Sequence, residues 1–280
     1  TQRETFCEFD KDETPLLPGT IWLDERAVDQ QRAFADQHGA EYIRGVSGKP
    51  VDVIVPLYRM LWIAEHHPDI YERIARFADV HCYIVRHLTG RWATSVASAD
   101  PMGMVDMETG TWSGDLLKAA NIDPAIMPDL VHPGDVMGHV TAEAADATGL
   151  PEGLPIVAGG GDGQCAATGT GTVEPGIAYM NLGTALVAGC YSKDYAHSQA
   201  FRTEIAVSDD GYIYETLLKA GTFLIDWMTE QMARVKKEDQ VAFLTALEAE
   251  ARQSPIGAGG LVVLPYWQGS MTPNWDSEAR

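Results

Sequence analysis

Several things are missing from this 280-residue sequence. No run of apolar residues reaches the ~20 that a bilayer-crossing helix needs. The opening TQRETFCEFDKD also lacks the basic-then-apolar build of a secretion signal. Only four cysteines occur, Cys7, Cys82, Cys165 and Cys190, far apart and without a C-x-x-C pair. That pattern argues against a disulfide framework or a structural zinc site, and predicts four buried, inert thiols in a reducing cytoplasm. Basic residues are scarce: 20 Lys and Arg face 40 Asp and Glu, a formal charge of −20. Neither nucleic acid nor an anionic membrane is therefore an expected partner, and the scattered acidity reads as a solvated surface. There is no repeat of solenoid or propeller period and no low-complexity tract.

What is present is a globular composition, 45 % hydrophobic, long enough for two domains and a substantial core. ETFCEFDKDETPLLPGTIWLDERA predicts a strand, a polar turn at Lys11–Glu13 and a second extended stretch. Helical patterns follow over ERAVDQQRAFADQHG, over PLYRMLWIAEHHPDIYERIARF with a break at Pro68, and over VHCYIVRHLTG. GMVDMETGTWSGDLLKAAN predicts a strand, a turn at Glu108–Gly110 and a helix, and PIVAGGG a buried strand feeding a tight turn. Beyond Gly171, GIAYMNLGTALVAGCY and GYIYETLL read as strands, and LIDWMTEQMARV and QVAFLTALEAEAR as helices. GGLVVLPYWQGS reads as a last buried strand closed by Pro265, Tyr266 and Trp267. The alternation predicts an α/β fold with a domain change near residues 168–172.

Chemistry concentrates in two glycine-rich turns. In AGGGDGQCAATG, Asp162 follows a strand that ends in three glycines, where open α/β sheets bind ligands. A carboxylate there can take a proton from a hydroxyl or help hold Mg²⁺. In NLGTALVAG, Gly183 and Thr184 lie between two strand patterns, and backbone N–H groups with a threonine hydroxyl suit a phosphate. The histidines His66, His67, His81 and His87 have no metal-ligand spacing and are expected at the surface or satisfied in the core. Tyr58, Trp62 and Trp92 are expected in the core.

AGGGDGQCAATGTG, MNLGTALVAG, LLKAGTFLIDWMTEQM and LVVLPYWQGSMTPNWDSEAR resemble, in that order, the FGGY family of carbohydrate kinases. TQRETFCEFD…TIWLDERA and LTGRWATSVASADPMGMVDMETGTWSGDLL upstream fit the same family, nearest its xylulokinase and glycerol kinase branches. The resemblance implies two actin-like ATPase (ribonuclease H-like) domains, here 1–169 for sugar and 170–280 for nucleotide, both incomplete in this chain. It implies transfer of the ATP γ-phosphate, with Mg²⁺, to a hydroxyl of a small sugar or polyol, a ketopentose such as xylulose foremost. Asp162 matches the family's general base. Gly183, Thr184 and Gly221 match its phosphate contacts. Gln2, Arg3 and Glu4 match a stretch that holds polyol hydroxyls, Trp22 an aromatic sugar contact, and Gln164 is a further hydroxyl contact. Asp24 and Arg26 are expected to form a structural pair near the site. A homodimer is a candidate assembly.

Departures from the family pattern accompany the likeness. The D-x-G-T-type phosphate turn that family members carry near their start is not found upstream, nor the glycine-rich adenosine motif downstream, so the chain is expected to be the middle of a longer kinase. Ile54 or Val55 stands where glycerol kinases place a tyrosine, Q-R-E-T replaces the xylulokinase Q-M-H-G, and Ala185 replaces a serine. A non-catalytic sugar-binding or regulatory protein is the alternative of a different class, and a chaperone-like or filament-forming actin relative a third.

Overall fold

The computed structural model describes residues 2–264, 266–267, 269–276 and 278–279. Helices alternate with short strands along it, as the sequence periodicity predicts. The chain forms two compact units, Thr1–Tyr179 with Gly189–Glu215, and Met180–Ala188 with Thr216–Arg280. Pro265, expected to help close a strand, lies outside the described residues.

In the first unit the strand Phe6–Phe9 pairs antiparallel with Arg76–Asp79, and the Phe6 and Phe77 rings meet at 4.8 Å. The polar turn falls where predicted: the Asp10 carboxylate accepts from the N–H groups of Asp12 and Thr14. Helix Val28–His38 ends at Gly39, and Pro56 opens helix Pro56–His66 at a position where its missing N–H costs nothing. That helix buries Leu57, Tyr58, Met60 and Ile63, each contributing roughly 1.5–3 kcal/mol relative to exposure. Asp79 caps helix Val80–Thr89 through a 2.8 Å bond from the Cys82 N–H, and Gly90 (φ 79°) ends it.

Three expectations fail here for identifiable reasons. The helical pattern does not continue to Phe77, because Arg76–Asp79 is a strand; Ile70 belongs to the short helix Pro68–Tyr71, and the shared spacing came from separate elements. Among the described residues Pro155–Val157 pairs only with Val136–His139, and Val157 is 50 % exposed, so it is a peripheral strand and not a buried one. The thiols are all free, but Cys165 and Cys190 are exposed, and only Cys82 is fully enclosed.

One further strand, Arg202–Ile205, carries no signal used in the sequence reading. It pairs antiparallel with the first part of Tyr212–Leu218, placing Arg202 opposite Glu215 and Thr203 opposite Tyr214, and all four of its residues are buried.

The second unit contains helix Phe223–Trp227, which runs into a wider π-helical turn over Met228–Met232, and helix Gln240–Ala251. Leu217 and Thr272 exchange bonds through the Leu217 carbonyl and the Thr272 hydroxyl. Leu261 to Leu264 form no strand and are 57–80 % exposed, contrary to the buried strand expected there. Among the described residues no helix is long and apolar enough to cross a membrane.

Candidate active site

The strand Pro155–Val157 delivers the chain to Gly159–Gly161, and helix Asp162–Gly169 begins directly after. Gly161 is the extended residue before the helix, and its N–H donates to Gln164 Oε1 at 2.9 Å. Asp162 thus occupies the first helical position, where the helix dipole favours a carboxylate, and it is exposed.

The glycines around Asp162 are filled against by the protein itself. A Cβ on Gly161 would stand 2.2 Å from Arg3 Cδ and 2.5 Å from Arg3 Nε. One on Gly163 would stand 2.8 Å from Glu215 Oε1, and one on Gly160 would stand 2.3 Å from Val207 Cγ1. Glycines at these positions could have left room for sugar and phosphates. The structure gives it to Arg3, Glu215 and Val207.

Arg3 and Glu4 come next, and both are buried, at 7 and 8 % exposure. Arg3 donates through Nη2 to Glu204 and lies 3.6 Å from Asp100 Oδ1. Glu4 sits at φ 53°, a left-handed conformation unfavourable for a glutamate, and two arginines fix it. Arg202 Nη1 donates to Glu4 Oε1 at 2.8 Å, and Arg59 Nη2 donates to the Glu4 carbonyl at 2.5 Å. Arg59 also donates to the Ile21 carbonyl, so one fully buried guanidinium ties Glu4 to the segment bearing Trp22. Trp22 is half-buried and Gln2 exposed. Asp24 and Arg26 do pair, at 2.8 Å, and Arg26 also covers the Trp62 ring at 4.8 Å.

Behind these residues lies a continuous set of buried charges. Arg202 binds Glu215 Oε2 through Nε and Nη2, each at 2.6 Å, and approaches Glu204 at 3.0 Å. Tyr179 donates to Glu215 at 2.7 Å. Lys49 donates to the Thr203 carbonyl and lies 3.5 Å from Asp100 Oδ2, which also accepts from the Ile205 N–H at 2.8 Å. Three cations (Arg3, Lys49, Arg202) therefore face four carboxylates (Glu4, Asp100, Glu204, Glu215). Burial pushes the Glu204 carboxyl up, but Arg3 and Arg202 more than reverse this and hold it well below the carboxylate range. At Asp100 burial wins over Lys49 and Arg3 and raises the carboxyl to about 6. Glu215 is likewise raised by burial despite Arg202.

Gln164 is wholly buried, and its amide is committed inside the protein. Nε2 donates to the carbonyls of Ala97 at 2.8 Å and Ile205 at 3.0 Å, while Oε1 accepts from Gly161. It fixes the start of the Asp162 helix and has no amide group left over for a hydroxyl.

In the second unit the turns at Gly183-Thr184 and Gly221 come together. The Gly221 N–H donates to the Thr184 carbonyl at 2.8 Å, and the Thr222 N–H to the Gly183 carbonyl at 2.9 Å. A Cβ on Gly221 would lie 2.5 Å from both those carbonyl oxygens. The Gly183 N–H bonds within its own turn, to Ala185. Thr184 is exposed. Among the described residues no cluster of three His, Cys, Asp or Glu side chains could hold a metal ion. His81 is buried with Nδ1 2.7 Å from Ser98 Oγ, a satisfied core histidine as expected.

Sequence reasoning missed Arg59, Asp100, Arg202, Glu204 and Glu215. The one available signal was FRTEIAV, where two charges alternate within an otherwise strand-like run. Alternation at that spacing usually marks a solvated face, and only the fold shows both faces covered.

Known proteins match along the whole chain. The FGGY family of carbohydrate kinases matches with its N-terminal domain over residues 1–169 and its C-terminal domain over residues 178–280. A xylulose kinase of Staphylococcus xylosus is 27 % identical over 275 residues, covering 97 % of this chain and 56 % of its own length. A xylulose kinase of Bacillus subtilis is 28 % identical over 277 residues, covering 97 % and 54 %. The crystal structure of xylulose kinase from Rhodospirillum rubrum superposes with a TM-score of 0.87 at 29 % identity, over 95 % of this chain and 54 % of that one. The chain spans about half the length of the curated relatives it matches. With these likenesses comes the two-domain actin-like, ribonuclease H-like fold, and the chain belongs to the FGGY family of carbohydrate kinases.

Proposed function

We propose that this chain is part of an ATP-dependent carbohydrate kinase that phosphorylates a hydroxyl of a small sugar or polyol, a ketopentose such as xylulose. The observation that carries the reading is Asp162. It is an exposed carboxylate at a helix start, next to Gly161, against which Arg3 of the polar Gln2–Glu4 segment packs. Asp162 is the general base that takes the proton from the attacking hydroxyl. Arg3 and Glu4, offering donors and an acceptor, hold neighbouring hydroxyls with Gln2, and Trp22 lies along the sugar's apolar face. Gln164 serves by fixing the Asp162 helix. Residues 1–169 form the sugar domain and 170–280 the nucleotide domain, where the paired turns at Gly183-Thr184 and Gly221 receive the ATP phosphates.

Mg²⁺ would be held chiefly by the oxygens of the nucleotide phosphates. The ion commonly takes only one or two protein carboxylates beside phosphates. When bound, the metal neutralises charge on the transferred phosphoryl group. The chain's own residues position the hydroxyl and accept its proton.

The experiment is phosphoryl transfer by the full-length protein over a panel of ketoses and polyols. Turnover is expected with a ketopentose. If ATP binds and no member of the panel is phosphorylated, the reading is wrong.

A further inference from the structure

Arg3 and Glu4 do not set their own positions. Each is more than nine-tenths buried, and each is bound by a residue of the strand Arg202–Ile205, about two hundred positions later in the chain: Arg3 by Glu204, Glu4 by Arg202. Arg202 stands at the junction. Its guanidinium reaches Glu4 at 2.8 Å, Glu204 at 3.0 Å and Glu215 at 2.6 Å. Glu215 in turn fills the space over Gly163, the residue after Asp162. The forked guanidinium is the one side chain able to satisfy three carboxylates in this geometry, which a lysine cannot reproduce.

We infer that Arg202 is a positioning residue for substrate recognition: through Glu4 it fixes the hydroxyl-holding segment, and through Glu215 it fixes that segment's register against the Asp162 helix. The inference rests on the reading above, in which Arg3 and Glu4 hold the sugar. Glu4 shows why an anchor is needed. Its backbone is in a left-handed conformation that the chain adopts only under constraint, and the Arg202 and Arg59 bonds supply that constraint. Without the first of these, the carboxylate loses its partner and the segment can relax.

The test is a double-mutant cycle in the full-length protein with Arg202→Lys and Glu4→Gln. Sugar binding is measured by calorimetry, and kcat and KM for sugar and ATP by turnover, with thermal melts alongside. A charge-assisted hydrogen bond of this type corresponds to roughly a 10- to 100-fold effect. R202K is expected to weaken sugar affinity by about that factor with the KM for ATP unchanged. The double variant is expected to be weaker than E4Q alone by less than the full R202K factor, since part of the Arg202 effect runs through Glu4 and part through Glu215. Effects that multiply, or an R202K variant that melts earlier but binds sugar as tightly as the parent, overturn the inference and leave the kinase reading standing. If R202K does not fold, Glu215→Gln, which keeps the side-chain shape and a bond to Tyr179, takes its place: sugar affinity is expected to fall with the KM for ATP unchanged, and a variant that melts earlier but binds sugar as tightly as the parent overturns the inference. If the parent protein binds no sugar at all, the kinase reading fails and this inference with it.

Discussion

At the scale of single residues, Asp162 separates a catalytic carboxylate from a turn-forming one. Asp162→Asn keeps volume and most hydrogen-bonding capacity but removes the proton acceptor. Its position at the first turn of a helix tolerates asparagine, so the fold should survive the change. General-base catalysis is worth ~10²- to 10⁴-fold. We expect kcat to fall by about that factor with sugar KM little altered, as for a group that acts chiefly in the transition state. Undiminished turnover would remove Asp162 from the chemistry. The residue itself was legible in the sequence as an aspartate among glycines. The reason for the glycines was not, because it lies in Arg3, Val207 and Glu215, two of them more than forty residues downstream.

Elements were legible where one local signal decided them. Helix Val28–His38 ends at Gly39 and Val80–Thr89 at Gly90, both as the glycines predict. Signals that depend on distant partners misled: Arg76–Asp79 is a strand because Phe6–Phe9 pairs with it, and Pro155–Val157 is peripheral because it has one neighbour. The two turns of the second unit show the same dependence. Neither Gly183-Thr184 nor Gly221 reveals in sequence that its backbone is bonded to the other's. Gly221→Ala would drive a methyl group to 2.5 Å from two carbonyl oxygens, and backbone cannot give way as a flexible side chain can. The turns must separate. If they receive phosphates, the substitution should raise the KM for ATP by about tenfold or more, the scale of one or two lost charge-assisted bonds, while calorimetric sugar affinity stays unchanged. Unaltered ATP kinetics would place the phosphates elsewhere.

At the scale of the whole molecule, stability carries a pH dependence that the sequence does not announce. Glu8 lies on the strand Phe6–Phe9, is 0 % exposed, and neither carboxylate oxygen has a hydrogen-bond partner among the described residues. Burial pushes its carboxyl up to about 7, with its own backbone N–H, Arg59 and Arg26 only partly opposing. A folded-state pKa above the unfolded value favours the native state at low pH, and this advantage is lost as pH rises through about 7. Glu8→Gln, neutral and of the same shape, has no such loss. The difference in melting temperature between variant and parent should be smallest at about pH 4, below the unfolded carboxylate range, and favour the variant at about pH 8; a difference independent of pH would show that Glu8 does not titrate in this range. The acidic excess was plain from composition, but one fully buried carboxylate on the strand Phe6–Phe9 was not, since in sequence it looks like any other surface charge.

The glycines beside Asp162 have a consequence for how such proteins are found. A search pattern built on G-G-G-D-G scores four glycines and one aspartate, yet Gly160, Gly161 and Gly163 are required by side chains that pack over them, not by the proton transfer proposed for Asp162. Such a pattern therefore detects the scaffold. It would score a homologue that kept the packing and had lost the base almost as highly as a working enzyme, so assignments of activity by this motif should weigh the single aspartate above everything around it.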